Sequence, residues 1–255
     1  MVLAALGLVL PLAGLSNTDP RIISLDLCTD WMLTKFADSS QILALSPMSQ
    51  KYPAPWLDKK LPVHNGSLEQ IIKLKPGVII TGEYNAVQLR KRLTSLGKRV
   101  EVISLPQSLY EIQKYTDHFT NLLNLNRTNL PELKLNQGNS IIKPGLLLLG
   151  ANAIATGRDT FENDIIEQAG WTNYIQRSGY ITLDLEQLVL SPPDMILWSA
   201  PVSNALSNQF ANHRLLKKLF KKNQFKALDF WQWQCPGPWT FDLIKSLHEL
   251  LPKNE

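Results

Sequence analysis

The sequence predicts an α/β protein of two lobes with mainly parallel sheets, joined by a single helix, with a cleft between the lobes. Three observations predict it. Short β-branched runs alternate with helical segments, the pattern of a parallel sheet covered by helices on both faces. The segment LEQIIKLKPGVII from Leu68 is matched in register by LEQLVLSPPDMIL from Leu185, 117 positions on. Between the two copies, Ser108 to Asn124 carries Leu109, Ile112, Tyr115, Phe119 and Leu122 at helical spacing, one helix to carry the chain from lobe to lobe.

In the first lobe, Arg21 to Leu27 (RIISLDL) reads as a strand, and Asp30 is placed to cap a helix from Trp31 to Ala37. Ile42 to Leu45 is a second strand. Ser46 to Pro62, with four prolines, reads as an irregular loop. Ser67 caps a short helix, Pro76-Gly77 breaks it, and Val78 to Gly82 is a buried strand. Ala86 to Leu96 is helical and ends at Gly97; Val100 to Leu105 is another strand. The second lobe repeats this order. Gly145 to Leu149 is a strand, Thr160 to Ala169 a helix ended by Gly170, Asp184 caps the next helix, Met195 to Trp198 is a strand, and Ala227 to Trp231 takes the place of Val100 to Leu105. The expected division is a leader at 1–16, a first lobe at 17–107, a linking helix and connector at 108–143 and a second lobe at 144–255.

Composition excludes several classes. Among 255 residues, 44% are hydrophobic and 19% charged, as in an ordinary folded domain rather than a disordered chain. A net charge of +4 is too small to argue for nucleic acid. Val2 to Leu15 is uncharged over 14 residues, shorter than the roughly 20 that span a bilayer. It suits the apolar core of a secretory signal, with Gly14 and Ser16 as small residues before a cleavage point. No nucleophile elbow, phosphate-binding glycine loop or zinc-protease motif occurs, and no acid–base pair is set by spacing, so a non-enzymatic role is expected.

The opening strand RIISL, LEQIIKLKPGVIITG, the segment GRDTFENDIIEQAG (Gly157 to Gly170) and LEQLVLSPPDMILW occur in an order that resembles the periplasmic substrate-binding proteins of ATP-binding-cassette importers for cobalamin, ferric siderophores and haem. The resemblance covers roughly Arg21 to Leu251. It implies two Rossmann-like lobes joined by a long helix, an exported monomer without an intrinsic cofactor, and a transported chelate that contains cobalt or iron. It also implies a membrane permease as partner. Such proteins present one carboxylate per lobe to arginines of the permease; Glu69 and Glu186 occupy equivalent positions of the repeat, where helix-dipole compensation is the alternative reading. A secreted two-lobed protein that binds a chelate or metallocluster without transporting it is the alternative function.

Ligands of open α/β sheets bind beyond the carboxyl ends of the strands. The loops there carry Tyr52, Trp56, Tyr84, Tyr180, Trp231 and Trp233, which offer rigid aromatic surface. Trp31 and Trp239 start helices and serve equally as core. Lys51 and Arg158 are the only basic residues in these loops, which favours a mostly neutral or planar ligand over a strongly anionic one. Cys28 and Cys235 fall in the two lobes on the cleft side. A disulfide is the preferred reading; soft ligation of a bound metal and two unrelated buried thiols stay open. His64 is the only histidine in these loops, too few for a zinc site.

Overall fold

A computed structural model of the chain describes residues 21–57, 61–126, 129–130, 143–201, 205–221, 224–227 and 231–252, with the side chain of Trp231 not described. The expected leader at 1–16 and most of the polar connector before Lys143 lie outside the described residues.

The first lobe is built from β1 (Ile22–Ser24), α1 (Leu27–Phe36), β2 (Ile42–Ala44), α2 (Met48–Lys51), α3 (Leu68–Lys73), β3 (Val78–Gly82), α4 (Val87–Ser95) and β4 (Val100–Ile103). Its four strands are all parallel, in the order β2-β1-β3-β4. The opening strand is shorter than RIISLDL, because α1 starts a turn earlier than Asp30. Asp26 is the cap: its carboxylate accepts from the backbone N–H of Cys28 and Thr29. Asp30 lies inside the helix and turns inward to Ser46, so it is not free to cap. Ser67 caps α3 as the sequence indicates, accepting from Gln70 N. The loop after β2 includes the single turn α2.

Helix α5 (Glu111–Leu122) follows. The second lobe comprises β5 (Gly145–Leu149), β6 (Ile154–Thr156), α6 (Phe161–Gln168), β7 (Thr172–Asn173), β8 (Tyr180–Thr182), α7 (Leu185–Leu190), β9 (Met195–Trp198), α8 (Arg214–Leu219), β10 (Phe225–Ala227), α9 (Trp231–Gln234) and α10 (Thr240–His248). The parallel strands run β7-β5-β9-β10, the same path as β2-β1-β3-β4 in the first lobe. The internal repeat in the sequence is therefore a repeat of topology. The second sheet also gains an antiparallel pair: β6 joins β5 at Leu149 and Ala155, and β8 joins β6. The sequence reads these residues as loop. The last parallel strand is Phe225–Ala227 rather than Ala227 to Trp231, because Trp231 already begins the turn α9.

Strand alternation divides each core into two layers. Ile22, Val78 and Ile80 face one side of the first sheet, and Ile23 and Ile79 the other. In the second sheet Leu146, Leu148 and Leu197 oppose Leu147, Leu149 and Ile196. Two helices stitch the lobes together. Helix α5 packs Tyr115 and Phe119 into the first lobe, while Leu109, just before it, packs on the second. The C-terminal segment does the converse. Cys235 and Trp239 belong to the first lobe's core, and Leu243, Ile244 and Leu247 of α10 to the second's.

Candidate functional site

In both lobes the strand order reverses beside the first strand, so that the crevice for a ligand opens where two neighbouring strands send their chains in opposite directions. In the first lobe that point lies between the ends of β1 and β3. Asp26 fills it: besides capping α1, its carboxylate accepts from Thr29 Oγ1 and from the backbone N–H of Gly82. His64 is buried there. Its Nε2 donates to Ser24 O at 2.8 Å, and its Nδ1 accepts from Gly66 N at 2.9 Å. Burial lowers its pKa, so the ring is a neutral, fully used structural group rather than a free ligand.

In the second lobe the same point lies between the ends of β5 and β9, and a cavity of about 290 Å³ opens there. Leu148 of β5 and Gly150 just after it, Ser199 and Ala200 just after β9, Glu162 from α6, Tyr180 from β8 and Trp233 and Gln234 from α9 line it. Cys28 and Cys235 are joined by a disulfide, with Cα atoms 4.9 Å apart. The Cys28 Sγ lies 3.6 Å from the Gln234 carbonyl, so the covalent tie borders the cavity. With both sulfurs engaged, neither thiolate is left to ligate a metal. Among the described residues no group of three or more His, Cys, Asp or Glu could hold a metal ion.

Glu162 is the residue that sequence reasoning missed. It stands in the first turn of α6, where an acidic residue ordinarily serves the helix dipole. Here it is buried, and the Tyr180 hydroxyl donates to its carboxylate at 2.9 Å. Burial raises its pKa; its own backbone N–H and Tyr180 act in the opposite direction. A signal was present: Glu162, Ile165, Ile166 and Ala169 recur at i, i+3, i+4 and i+7, which puts Glu162 on the inward stripe.

The other predicted residues are dispersed. Tyr180 and Trp233 line the cavity. Tyr84 stands exposed after β3. Arg158 donates to Gln176 and is not part of the cavity wall. Trp56 belongs to an aromatic cluster, 5.1 Å from Trp31 and 5.2 Å from Trp239 between ring centroids, and its Nε1 donates to Thr34. Lys35 sits over its ring at 5.0 Å. Tyr52 packs at the edge of the same core, with Lys51 over its ring. The Trp231 side chain is outside the described residues. Glu69 and Glu186 are both exposed, each in the first turn of a helix whose cap accepts from the backbone, Ser67 for α3 and Asp184 for α7.

No protein-family model matches the chain, and no curated protein matches it significantly. Solved structures do. A Staphylococcus epidermidis protein described as a possible iron-binding (periplasmic solute-binding) protein is 19% identical, with a TM-score of 0.71 over 92% of this chain and 100% of its own. A periplasmic haem-binding protein of Pseudomonas aeruginosa is 19% identical, with a TM-score of 0.68 over 92% of this chain and 94% of its own. The periplasmic haem-binding protein of Vibrio cholerae is 16% identical, with a TM-score of 0.69 over 91% of this chain and 99% of its own. These likenesses establish the fold alone: the chain shares the two-lobed α/β architecture of those proteins. Among the described residues no helix is long and apolar enough to cross a membrane.

Proposed function

We propose that the chain is a periplasmic solute-binding protein that captures a metal-containing chelate, a corrinoid, haem or ferric siderophore, and hands it to an ATP-binding-cassette permease. The observation that carries this reading is the repeated strand order. It gives each lobe a switch-point crevice, and the likeness to binding proteins of that kind runs over more than nine-tenths of the chain. The lobe-two cavity supplies the best-formed part of the ligand site through Tyr180 and Trp233, beside the Cys28–Cys235 bond. Tyr84 reaches from the first lobe, with Tyr52, Trp56, Arg158 and Trp231 as further candidates. The cavity alone is at the small end of ligand sites, so it holds one edge of a large chelate whose remainder lies between the lobes.

Glu69 and Glu186 are the docking residues in this reading. Both are exposed on equivalent helices, one per lobe, free to meet arginines of a permease. Charges so placed set orientation and on-rate more than affinity. The protein works as an exported monomer, and iron or cobalt enters only as cargo.

The test is titration of the purified protein with haemin, cobalamin and a set of ferric siderophores, followed by tryptophan fluorescence. Seven tryptophans make quenching by an absorbing ligand easy to read. Saturable one-to-one quenching by one compound supports the carrier. No saturable response from any of them overturns it.

A further inference from the structure

The lobe-two cavity has one chemical sign. None of its described lining residues is Lys, Arg or His. Glu162 is 8% exposed, and among the described residues its carboxylate pairs with no cation. The Tyr180 hydroxyl, at 2.9 and 3.2 Å from the two oxygens, is its side-chain donor. A carboxylate can accept several hydrogen bonds, and a buried one without a counter-charge is costly. Trp233 closes the wall. It is 3% exposed, and its Nε1 has no acceptor among the described residues. The elevated pKa of Glu162 has the same origin, burial without a nearby positive charge.

A buried carboxylate with no counter-charge, opening on a cavity, is the chemistry that receives an ammonium group: it supplies the opposite charge and accepts hydrogen bonds. We propose that this cavity binds an ammonium or other cationic hydrogen-bond donor carried on an arm of the transported chelate, with Glu162 as its counter-charge and Tyr180 and Trp233 as its aromatic walls. The inference rests on the carrier reading and narrows its ligand. A chelate with a positively charged arm is accepted at lobe two. One whose edge is anionic, such as haem with its propionates, is disfavoured there, because the cavity offers it no cation and a carboxylate in its path.

The experiment compares three probes on the whole protein: a ferric trihydroxamate with a free terminal amine, its N-acetyl derivative and haemin. The amine form is expected to bind at least about tenfold tighter than the acetylated form, the scale of a hydrogen bond to a charged group. Glu162→Gln is expected to erase that preference by weakening the amine form alone, and Tyr180→Phe to reduce it partway. Circular dichroism establishes that both variants are folded. Equal affinity for the amine and acetyl forms, or haemin bound more tightly than either, overturns the inference and leaves the carrier reading standing. A preference unchanged in folded Glu162→Gln also overturns it. Absence of saturable binding by all three probes and by cobalamin overturns both.

Discussion

Trp31 of the first helix and Trp239, 208 positions later in the chain, meet edge to face with ring centroids 5.0 Å apart. Both are buried, and Trp239 donates its indole N–H to the Cys235 carbonyl. The start of α10 is therefore anchored in the first lobe while the rest of that helix serves the second. Trp239→Ala is expected to destabilise the protein by about 3–5 kcal/mol, the range for emptying a buried aromatic site. Denaturant unfolding measures the loss. The loss should fall on both lobes together, seen as one cooperative transition at lower denaturant.

The Cys28–Cys235 bond ties the same two regions. Replacing both cysteines by serine is expected to lower stability by about 2–4 kcal/mol, the usual effect of a long-range disulfide. A reducing agent should produce the same shift in the unmodified protein and none in the double variant. If reduction leaves the midpoint of unfolding unchanged, the bond contributes nothing to stability.

Asp30 makes stability depend on pH. Burial pushes its carboxyl up to about 8, although the Ser46 N–H and hydroxyl hydrogen-bond to it. In the unfolded chain an aspartate titrates near 3.9. The folded state therefore holds a proton that the unfolded state has released between about pH 4 and pH 8. The contribution is complete below that window and is lost as pH rises through it, by up to about 1.4 kcal/mol per pH unit. An asparagine side chain at this position can still accept from the Ser46 N–H and donate to its hydroxyl. Asp30→Asn is thus expected to flatten the slope and to be the more stable form at pH 8. His64 works in the opposite direction, since its lowered pKa removes stability as pH falls through about 6.5. The informative quantity is accordingly the difference between variant and parent at each pH.

Charge reversal at both Glu69 and Glu186 is expected to abolish delivery to the permease and leave chelate affinity unchanged, because neither residue lines the cavity. Uptake by cells and ligand titration separate the two effects. Uptake that survives in the double variant removes these residues from docking.

Gly157, between β6 and Arg158, tolerates no side chain. A Cβ there would collide with the Arg177 carbonyl oxygen and lie 2.9 Å from that of Gly179. Both are backbone atoms and cannot swing aside. Gly157→Ala is expected to destabilise by about 1–3 kcal/mol or more through overpacking. It should also displace β8 and with it Tyr180, so ligand affinity should fall alongside the melting temperature.

The repeat and its parallel strands were readable because short continuous apolar runs and polar caps are local signals. Ser67 and Asp184 each accept from the backbone N–H groups that sequence spacing puts within reach. The β6–β8 pair was not readable. Each strand has three residues, and the chain turns into and out of β6 through Asn152, Ala153 and Asp159 with positive φ, conformations that non-glycine residues do not advertise. Nor does the sequence show that Trp239 crosses to the other lobe, because a contact over that separation leaves no periodic trace. At the site, an aromatic residue in a loop looks the same whether it awaits a ligand, as Tyr84 can, or completes a cluster, as Trp56 does. Glu162 was hidden by its position in a first turn, where its charge has an ordinary explanation.

The crossing of the C-terminal segment bears on the order in which the molecule can assemble. A chain made from its first residue has every strand of the first sheet by Ile103, yet that lobe's core still lacks Cys235 and Trp239. Until they arrive, Trp31 has no Trp239 to pack against and Cys28 has no Cys235 to oxidise with. The first lobe to be synthesised is thus among the last parts to be finished, and loss of the segment from Cys235 onward would injure the beginning of the protein as much as its end.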